Sequence, residues 1–141
     1  MVDLKAGFHN IVFERESSYD STFVTHRGKF RWLRMPMGLT QAPAHFQYVV
    51  EDVLRGKPGD RALPVVVYLD DIAVHGDDQD QVLEDTLEAI RRLAAAGFML
   101  NLKKSQLVES SAKVLGHMWT AGGFWAPCVS KLEALRDATG E

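Results

Sequence analysis

Short apolar runs on either side of a pair of acidic residues dominate the middle of this chain. The valine-rich run 63–69 is followed by Asp70 and Asp71, and a second apolar run covers 72–74. Two short β-branched segments separated by a few polar residues are typical of a β-hairpin. The pattern therefore predicts a hairpin that carries both carboxylates at its tip.

A second hairpin and two helices are predicted around this one. Segments 21–26 and 29–35 favour a hairpin with its turn at Arg27 and Gly28. Helical spacing predicts helices over 40–55 and 79–96.

Each predicted helix has its own terminal signals. In the first, Thr40 is a candidate cap, Pro43 suits the first turn and the apolar face begins at Phe46. Gly97 is expected to end the second. The apolar positions of that second helix are Leu83, Leu87, Ile90 and Ala94.

The remaining segments read mainly as short strands. Residues 1–3 resemble the end of a strand, while 130–138 favours a short helix. Further strands are predicted at 98–102, 106–108 and 112–120. This order predicts an α+β fold, a mainly antiparallel sheet with two helices on one face.

Composition narrows the function classes only a little. The chain has 141 residues, 46% of them hydrophobic and 25% charged, as expected of a globular domain. Its single cysteine, Cys128, excludes an intramolecular disulfide. The net charge of −3 argues mildly against a complete nucleic-acid-binding protein, but a catalytic part of one can be acidic. The apolar stretch 93–102 is too short to span a bilayer, so no membrane partner is expected.

The acidic pair in the central hairpin is the strongest chemical signal. Burying two carboxylates beside valine and leucine costs free energy unless cations compensate their charge. Magnesium is a suitable cation because it prefers hard oxygen ligands. Phosphoryl transfer is the chemistry that most needs this arrangement. The alternative is an ordinary polar hairpin tip, where aspartate is common.

Several segments, in this order, resemble the motifs of one polymerase family. Residues 3–11 look like its first catalytic motif, 30–47 like its template and nucleotide-binding loop and helix, and 66–72 like its metal-binding hairpin. Residues 97–104 and 115–117 are similar to the next motif and to the primer-contacting turn. The chain thus resembles the reverse transcriptase palm of gypsy-type long-terminal-repeat retrotransposons.

This resemblance implies a set of functional residues. Asp3, Asp70 and Asp71 would bind two magnesium or manganese ions, with Asp3 and Asp70 as principal ligands and Asp71 as the weaker one. In the family's scheme, one ion activates the primer 3′-hydroxyl and the other holds the triphosphate. Of the pair Lys103 and Lys104, we take Lys104 as the residue that would protonate the leaving pyrophosphate, and the alternative is a solvated charge pair.

The remaining implied contacts concern substrates. Nucleotide contacts are expected from Leu4, Ala6, Gly7, Phe8, Met37 and Gly38. Primer contacts are expected from Leu115, Gly116 and His117. Phe8 would act as the steric gate against ribonucleotides, although phenylalanine is more often a plain core residue.

The implied activity is RNA-directed DNA synthesis, in which deoxyribonucleotides are added to a primer 3′ end. The implied partners are an RNA or DNA template with its primer, deoxyribonucleoside triphosphates and the rest of a retroelement polyprotein. The location would be intracellular, in a cytoplasmic particle or the nucleus. The palm is expected at 1–126 and the start of a connecting segment at 127–141, with the fingers and thumb outside the chain.

A second hypothesis keeps the family but not the activity. The chain would be an inactive retroelement remnant that serves as a binding or assembly module. Its docking surface would then expose apolar side chains such as Phe124, Trp125 and Leu132.

Overall fold

The computed structural model describes residues 1–120 and 125–128. Its central sheet has three antiparallel strands in the order β1-β5-β4. These strands are β1 (Val2–Asp3), β4 (Val65–Tyr68) and β5 (Asp71–Val74). The predicted hairpin around Asp70 is therefore confirmed, and β1 pairs with its second strand.

Two small antiparallel sheets complete the strands. One is the hairpin of β2 (Phe23–Thr25) and β3 (Gly28–Phe30), which confirms the second predicted hairpin with shorter strands. The other has the order β6-β7-β8. Its strands are β6 (Ser111–Val114), β7 (His117–Thr120) and β8 (Trp125–Pro127).

Helix α1 (Ala42–Arg55) agrees with the prediction over 40–55. Phe46, Val50 and Leu54 recur every four residues and are fully buried, so this face joins α1 to the core. The proposed Thr40 cap is wrong: Gln41 occupies the cap position without a side-chain bond. The Ala42 amide donates instead to the Leu39 carbonyl at 3.1 Å.

Helix α2 (Gln79–Ala95) agrees with the prediction over 79–96. Asp78 caps it, because its Oδ1 accepts from the Gln81 amide at 2.8 Å. Gly97 follows the last turn with φ +87°, a backbone conformation that suits glycine.

The predicted apolar face of α2 is wrong at three of its four positions. Leu83, Leu87 and Ala94 are exposed, while Ile90 packs against the core as predicted. The fully buried apolar residues of the helix are Ala89 and Leu93. Buried polar side chains explain the rotation. Asp85 pairs with Arg61 from the loop before β4, and the Thr86 hydroxyl donates to the Val82 carbonyl at 2.7 Å.

We expect Arg61→Met to lower the free energy of unfolding by about 2 kcal/mol, because it leaves the buried Asp85 carboxylate without its cation. Arg55→Met is the matched control, since Arg55 pairs with Asp52 on the exposed surface. It should change stability by less than about 0.5 kcal/mol. Denaturant titration of both variants measures the difference, and equal losses would contradict the assignment.

The segment after α2 lies along β1 but is not a regular strand. Leu100 forms a single antiparallel bridge with Leu4, and the Asn101 amide donates to the Asp3 carbonyl at 2.9 Å. The predicted strand at 98–102 is thus reduced to one bridge. The strand predicted at 106–108 is wrong, because Val108 adopts φ +48°.

One hydrophobic core lies between the central sheet and the two helices. Its fully buried side chains include Val2, Ile72, Phe46, Val50 and Leu93. The α+β class and the antiparallel arrangement are as predicted. The helix predicted at 130–138 lies outside the described residues, as does all of 127–141 except Pro127 and Cys128.

Candidate active site

Two of the predicted carboxylates face each other across neighbouring strands. Asp3 on β1 is the direct partner of Asp71 on β5, and the next pair along is Val2 with Ile72. Directly opposed residues of an antiparallel pair point to the same face of the sheet. Because Val2 and Ile72 point into the core, Asp3 and Asp71 lie on the outer face.

The third carboxylate occupies the turn between β4 and β5. Tyr68 pairs with Asp71, so Leu69 and Asp70 form a two-residue loop. Leu69 has φ +51°, which costs a non-glycine residue about 1–3 kcal/mol. A strained tip of this kind persists only where surrounding contacts hold it.

Gly7 allows Asp70 its position. A Cβ at residue 7 would lie 2.7 Å from Asp70 Oδ1 and 2.8 Å from Phe46 Cζ. Any side chain there would displace the carboxylate or the ring. The small residue predicted to let a triphosphate approach therefore also lets Asp70 approach the loop after β1.

The three carboxylates form one region of negative charge. The pKa of Asp70 is raised above its ordinary value by burial first, and then by the charges of Asp3 and Asp71. Within residues 1–120 and 125–128, no three His, Cys, Asp or Glu side chains are already arranged as ligands of one ion. The carboxylate oxygens nevertheless fit a hard divalent cation, which would relieve their mutual repulsion.

This raised pKa has a consequence for stability. The folded state holds the Asp70 proton more tightly than the unfolded state, so ionisation of Asp70 destabilises the fold as pH rises through the folded pKa. We expect Asp70→Asn to raise the thermal midpoint near neutral pH. The gain should vanish below about pH 3.9, where the aspartate is protonated in both states.

Thermal scans across this pH range test the expectation without added metal. Asp77→Asn is the control, because Asp77 is an exposed acid outside the cluster. A midpoint of Asp70→Asn that equals the wild-type value near neutral pH would contradict the charge cluster.

The loop after β1 carries the predicted nucleotide contacts. Leu4 is buried, and Ala6 adopts a left-handed conformation with φ 52°. A short 3-10 helix, Gly7–Asn10, follows. Within it, Phe8 is half-buried and its ring stacks on Phe46 with centroids 4.8 Å apart.

Asn10 is a residue that the sequence reasoning missed. Its Nδ2 donates to the carbonyls of Lys5, Ala6 and Gly7 at 3.1, 3.3 and 3.2 Å, and its Oδ1 accepts from the Met99 amide at 3.3 Å. This one side chain fixes the loop that carries the proposed nucleotide contacts. An asparagine just after a Gly-containing turn was the available signal.

Met37 and Gly38 lie on the loop that precedes α1. The Met37 side chain is 71% exposed, and Gly38 has φ +93° with open space where a Cβ would be. Two residues before Met37, Met35 is buried, and its amide donates to the Ile11 carbonyl at 3.0 Å. The loop therefore starts from an anchored residue and presents an apolar side chain to the surroundings.

Lys104 lies on an exposed turn beside β1. The Ser105 hydroxyl accepts from the Asp3 amide at 3.1 Å and donates to the Asn101 carbonyl at 3.0 Å. The turn that carries Lys104 is thus bonded to the backbone of Asp3. Ser105 was missed, since one serine after two lysines gives no pattern.

The predicted primer turn is a tight hairpin loop. Leu115 and Gly116 both have positive φ, 52° and 74°, between the paired residues Val114 and His117. Glycine and this two-residue length are typical of such turns.

The His117 ring stacks on Trp125 with centroids 4.3 Å apart, so this contact covers part of Trp125, which is 56% exposed. Phe124 and Leu132, the other apolar groups of the second hypothesis, lie outside the described residues.

The turn that carries Asp70 is also bonded to α1. Gln47, half-buried on that helix, bonds through its side-chain amide to backbone groups of Val67 and Leu69. The sequence analysis placed Gln47 only at the end of the segment 30–47 that resembles the template and nucleotide-binding loop and helix, without a role of its own. Its signal was a polar residue directly beside the buried Phe46.

None of the helices that the structure describes is both long and apolar enough to cross a membrane.

Comparison with known proteins connects this geometry to a family. The model of the reverse transcriptase (RNA-dependent DNA polymerase) family matches residues 1–119. Among solved structures, the foamy viral protease-reverse transcriptase in complex with RNA/DNA hybrid superposes with a TM-score of 0.81 at 26% identity. The match covers 96% of this chain and 18% of that one. The same viral protein in complex with dsDNA gives a TM-score of 0.79 at 26% identity, over 96% of this chain and 27% of that one.

Curated relatives come from transposons. The retrovirus-related Pol polyprotein from transposon 297 of Drosophila melanogaster is 36% identical over 134 residues, which is 95% of this chain and 12% of the relative. That from transposon opus of the same species is 35% identical over 125 residues, 89% of this chain and 12% of the relative. A Schizosaccharomyces pombe relative, the transposon Tf2-3 polyprotein, is 30% identical over 95% of this chain and 10% of its own length. The chain thus spans about an eighth or less of these relatives, and it belongs to the reverse transcriptase (RNA-dependent DNA polymerase) family.

Proposed function

We propose that this chain is the catalytic palm of an RNA-directed DNA polymerase from a gypsy-type retrotransposon. It would add deoxyribonucleotides to a primer 3′ end on an RNA or DNA template. The observation that carries the proposal is the carboxylate cluster, in which Asp3 opposes Asp71 on the paired strands and Asp70 occupies the adjoining turn. Burial first, and then the charges of Asp3 and Asp71, raise the pKa of Asp70. Family membership and the transposon relatives support the same activity.

Asp3, Asp70 and Asp71 are the residues that would hold two magnesium or manganese ions. Such ions stabilise the attacking and leaving oxygens of a phosphoryl transfer. The chain's own part is to keep the three carboxylates on neighbouring backbone positions, two on paired strands and one on a short turn. Asp71 is the direct strand partner of Asp3, so we assign it a larger share in binding than the family resemblance implies.

Other residues would orient the substrates around this cluster. The backbone of Ala6 and Gly7 would face the triphosphate, while Phe8 would close the space beside the sugar. Met37 and Gly38 would contact the nucleotide and template from the loop before α1. Lys104, on the turn bonded to Asp3, would give a proton to the pyrophosphate.

The primer and the cellular setting complete the proposal. The turn Leu115–Gly116 and the neighbouring His117 would contact the primer. The chain would act as part of a retroelement polyprotein, inside the cell in a cytoplasmic particle or the nucleus. The palm boundary at 126 stays a prediction, with the family match ending at 119.

Manganese binding to the 141-residue chain tests the proposal directly. We expect paramagnetic broadening centred on the amides of Asp3, Asp70 and Asp71, with weak affinity because phosphates of the substrate normally supply further ligands. The double variant Asp70→Asn, Asp71→Asn should abolish the broadening at this site.

The matched control is the double variant Asp77→Asn, Asp80→Asn. It makes the same change in charge at two exposed acids before and at the start of α2. Broadening in this control should equal the wild-type value. Broadening that persists without Asp70 and Asp71 would place the metal elsewhere and favour the inactive binding module.

A further inference from the structure

In the part of the chain that the structure describes, strand β4 is the outer strand of the central sheet and pairs on one side only, with β5. The Gln47 side chain occupies the other side. Its Nε2 donates to the Val67 carbonyl at 2.8 Å, and its Oε1 accepts from the Leu69 amide at 2.7 Å. One side-chain amide therefore bonds as the peptide group of an additional strand would.

Glu51 fixes the direction of this amide. The Gln47 Nε2 also donates to Glu51 Oε1 at 2.6 Å, one helical turn further along α1. A carboxylate only accepts hydrogen bonds, so it must face the NH2 end of the amide. The oxygen end is then left for the Leu69 amide.

Phe46, the residue beside Gln47, packs against Gly7 in the loop after β1. The Phe46 ring packs so closely on Gly7 that a Cβ there would lie 2.8 Å from it and 2.7 Å from Asp70 Oδ1. Two consecutive residues of α1 thus lie at the site. Gln47 bonds to the backbone of the turn, and the Phe46 ring lies against Gly7, which the Asp70 carboxylate also approaches.

We propose that Gln47 is a positioning residue that fixes the Leu69–Asp70 turn against α1 so that Asp70 and Asp71 face one cation, an inference that rests on the proposed function. The turn needs such a restraint because Leu69 has a left-handed backbone and because, among residues 1–120 and 125–128, β4 pairs only with β5. A slip of one residue in this hairpin would move Asp71 to the opposite face. The bonds to Val67 and Leu69 oppose that slip on both sides of Tyr68.

The experiment compares Gln47→Met with Gln41→Met in the 141-residue chain. Methionine keeps the length of glutamine but removes its amide, and Gln41 makes no cap bond at the start of the same helix. Arg61→Met serves as a second comparator. It is expected to lower the free energy of unfolding, but its substitution lies outside the Leu69–Asp70 turn. The measurements are hydrogen exchange of the Leu69 amide and the manganese dissociation constant from broadening at Asp70 and Asp71.

In Gln47→Met, we expect Leu69 exchange to be about tenfold faster and manganese binding about five- to tenfold weaker, as for the loss of one hydrogen bond. Gln41→Met should match the unmodified chain in both. Arg61→Met should have the same manganese affinity as the unmodified chain, although it is less stable. Weaker manganese binding in Gln47→Met would then not follow from lower stability alone. Exchange and affinity of Gln47→Met within about twofold of Gln41→Met would overturn the inference.

Two further outcomes are also decisive. If Gln47→Met does not fold, side-chain NH2 exchange in the unmodified chain decides: slower exchange at Gln47 than at Gln41 supports the contact, and equal rates refute it. If the unmodified chain shows no manganese broadening at Asp70, the proposed function fails. The Leu69 exchange rate then still decides whether Gln47 holds the turn.

Discussion

The 141-residue chain, assayed by itself on a primed RNA template, is expected to show little or no DNA synthesis. Its three carboxylates are present, but phosphoryl transfer depends mostly on holding primer, template and nucleotide in place. Such orientation is worth roughly 7–11 kcal/mol of the barrier. The chain spans about 12% of the length of relatives such as the transposon opus polyprotein. The remaining contacts would come from the rest of such a polyprotein.

Primer extension by the chain placed within the polymerase region of a close relative provides the comparison. Synthesis should be restored there, and Asp70→Asn should then reduce it by about 10²–10³-fold or more, as for loss of a preorganised electrostatic contact. Asp77→Asn, an exposed acid outside the cluster, should leave synthesis unchanged. Robust magnesium-dependent extension by the chain alone would refute this view and make it a minimal polymerase.

Elements with a strong local signal could be predicted from the sequence. The hairpin around Asp70 has β-branched runs on both sides of a polar turn, and the helix starting after Asp78 has a capping residue and a terminal glycine. Both follow from local chemistry. The partner of β5 could not be read in this way, since β1 lies nearly 70 residues away and contributes only Val2 and Asp3.

Tertiary contacts decided the features that the sequence did not predict. Leu83 and Leu87 are not on the buried face of α2, because that face carries Asp85, which pairs with Arg61 in a distant loop. Pattern reasoning assigns aspartate to solvent and leucine to the core, so the predicted face shares only Ile90 with the observed one. The segment around Leu100 looked like a strand by composition, yet it forms one bridge to Leu4.

The residues of the candidate site also fall into those that could be predicted from the sequence and those that could not. The acidic residues could be proposed from their types and from the family resemblance. Gln47 and Ser105 could not, because they bond to backbone groups that are distant in sequence. Asn10 had a local signal for its bonds to the loop after β1, but not for its bond to Met99. A side chain that bonds to backbone far along the chain leaves no periodic signal.

Replacing Phe8 by valine, in the context of the complete polymerase, is expected to relax discrimination against ribonucleotides. The Phe8 ring is stacked on Phe46, with centroids 4.8 Å apart and planes 23° apart, which fixes its position in the loop after β1. A fixed ring there would occupy the space that a 2′-hydroxyl needs. Its loss should raise the ratio of ribonucleotide to deoxyribonucleotide incorporation about 10–200-fold, as when a pocket gains room for one small group.

The stack with Phe46 means that Phe8→Val also removes a packing contact worth about 0.5–1.5 kcal/mol. Phe13→Val separates the two effects, because Phe13 is another half-buried ring packed against the core but lies outside the proposed nucleotide contacts. It should lower stability and leave the incorporation ratio unchanged. If the ratio in Phe8→Val also stays at the wild-type value while overall synthesis is intact, Phe8 is a core residue and the sugar is selected elsewhere.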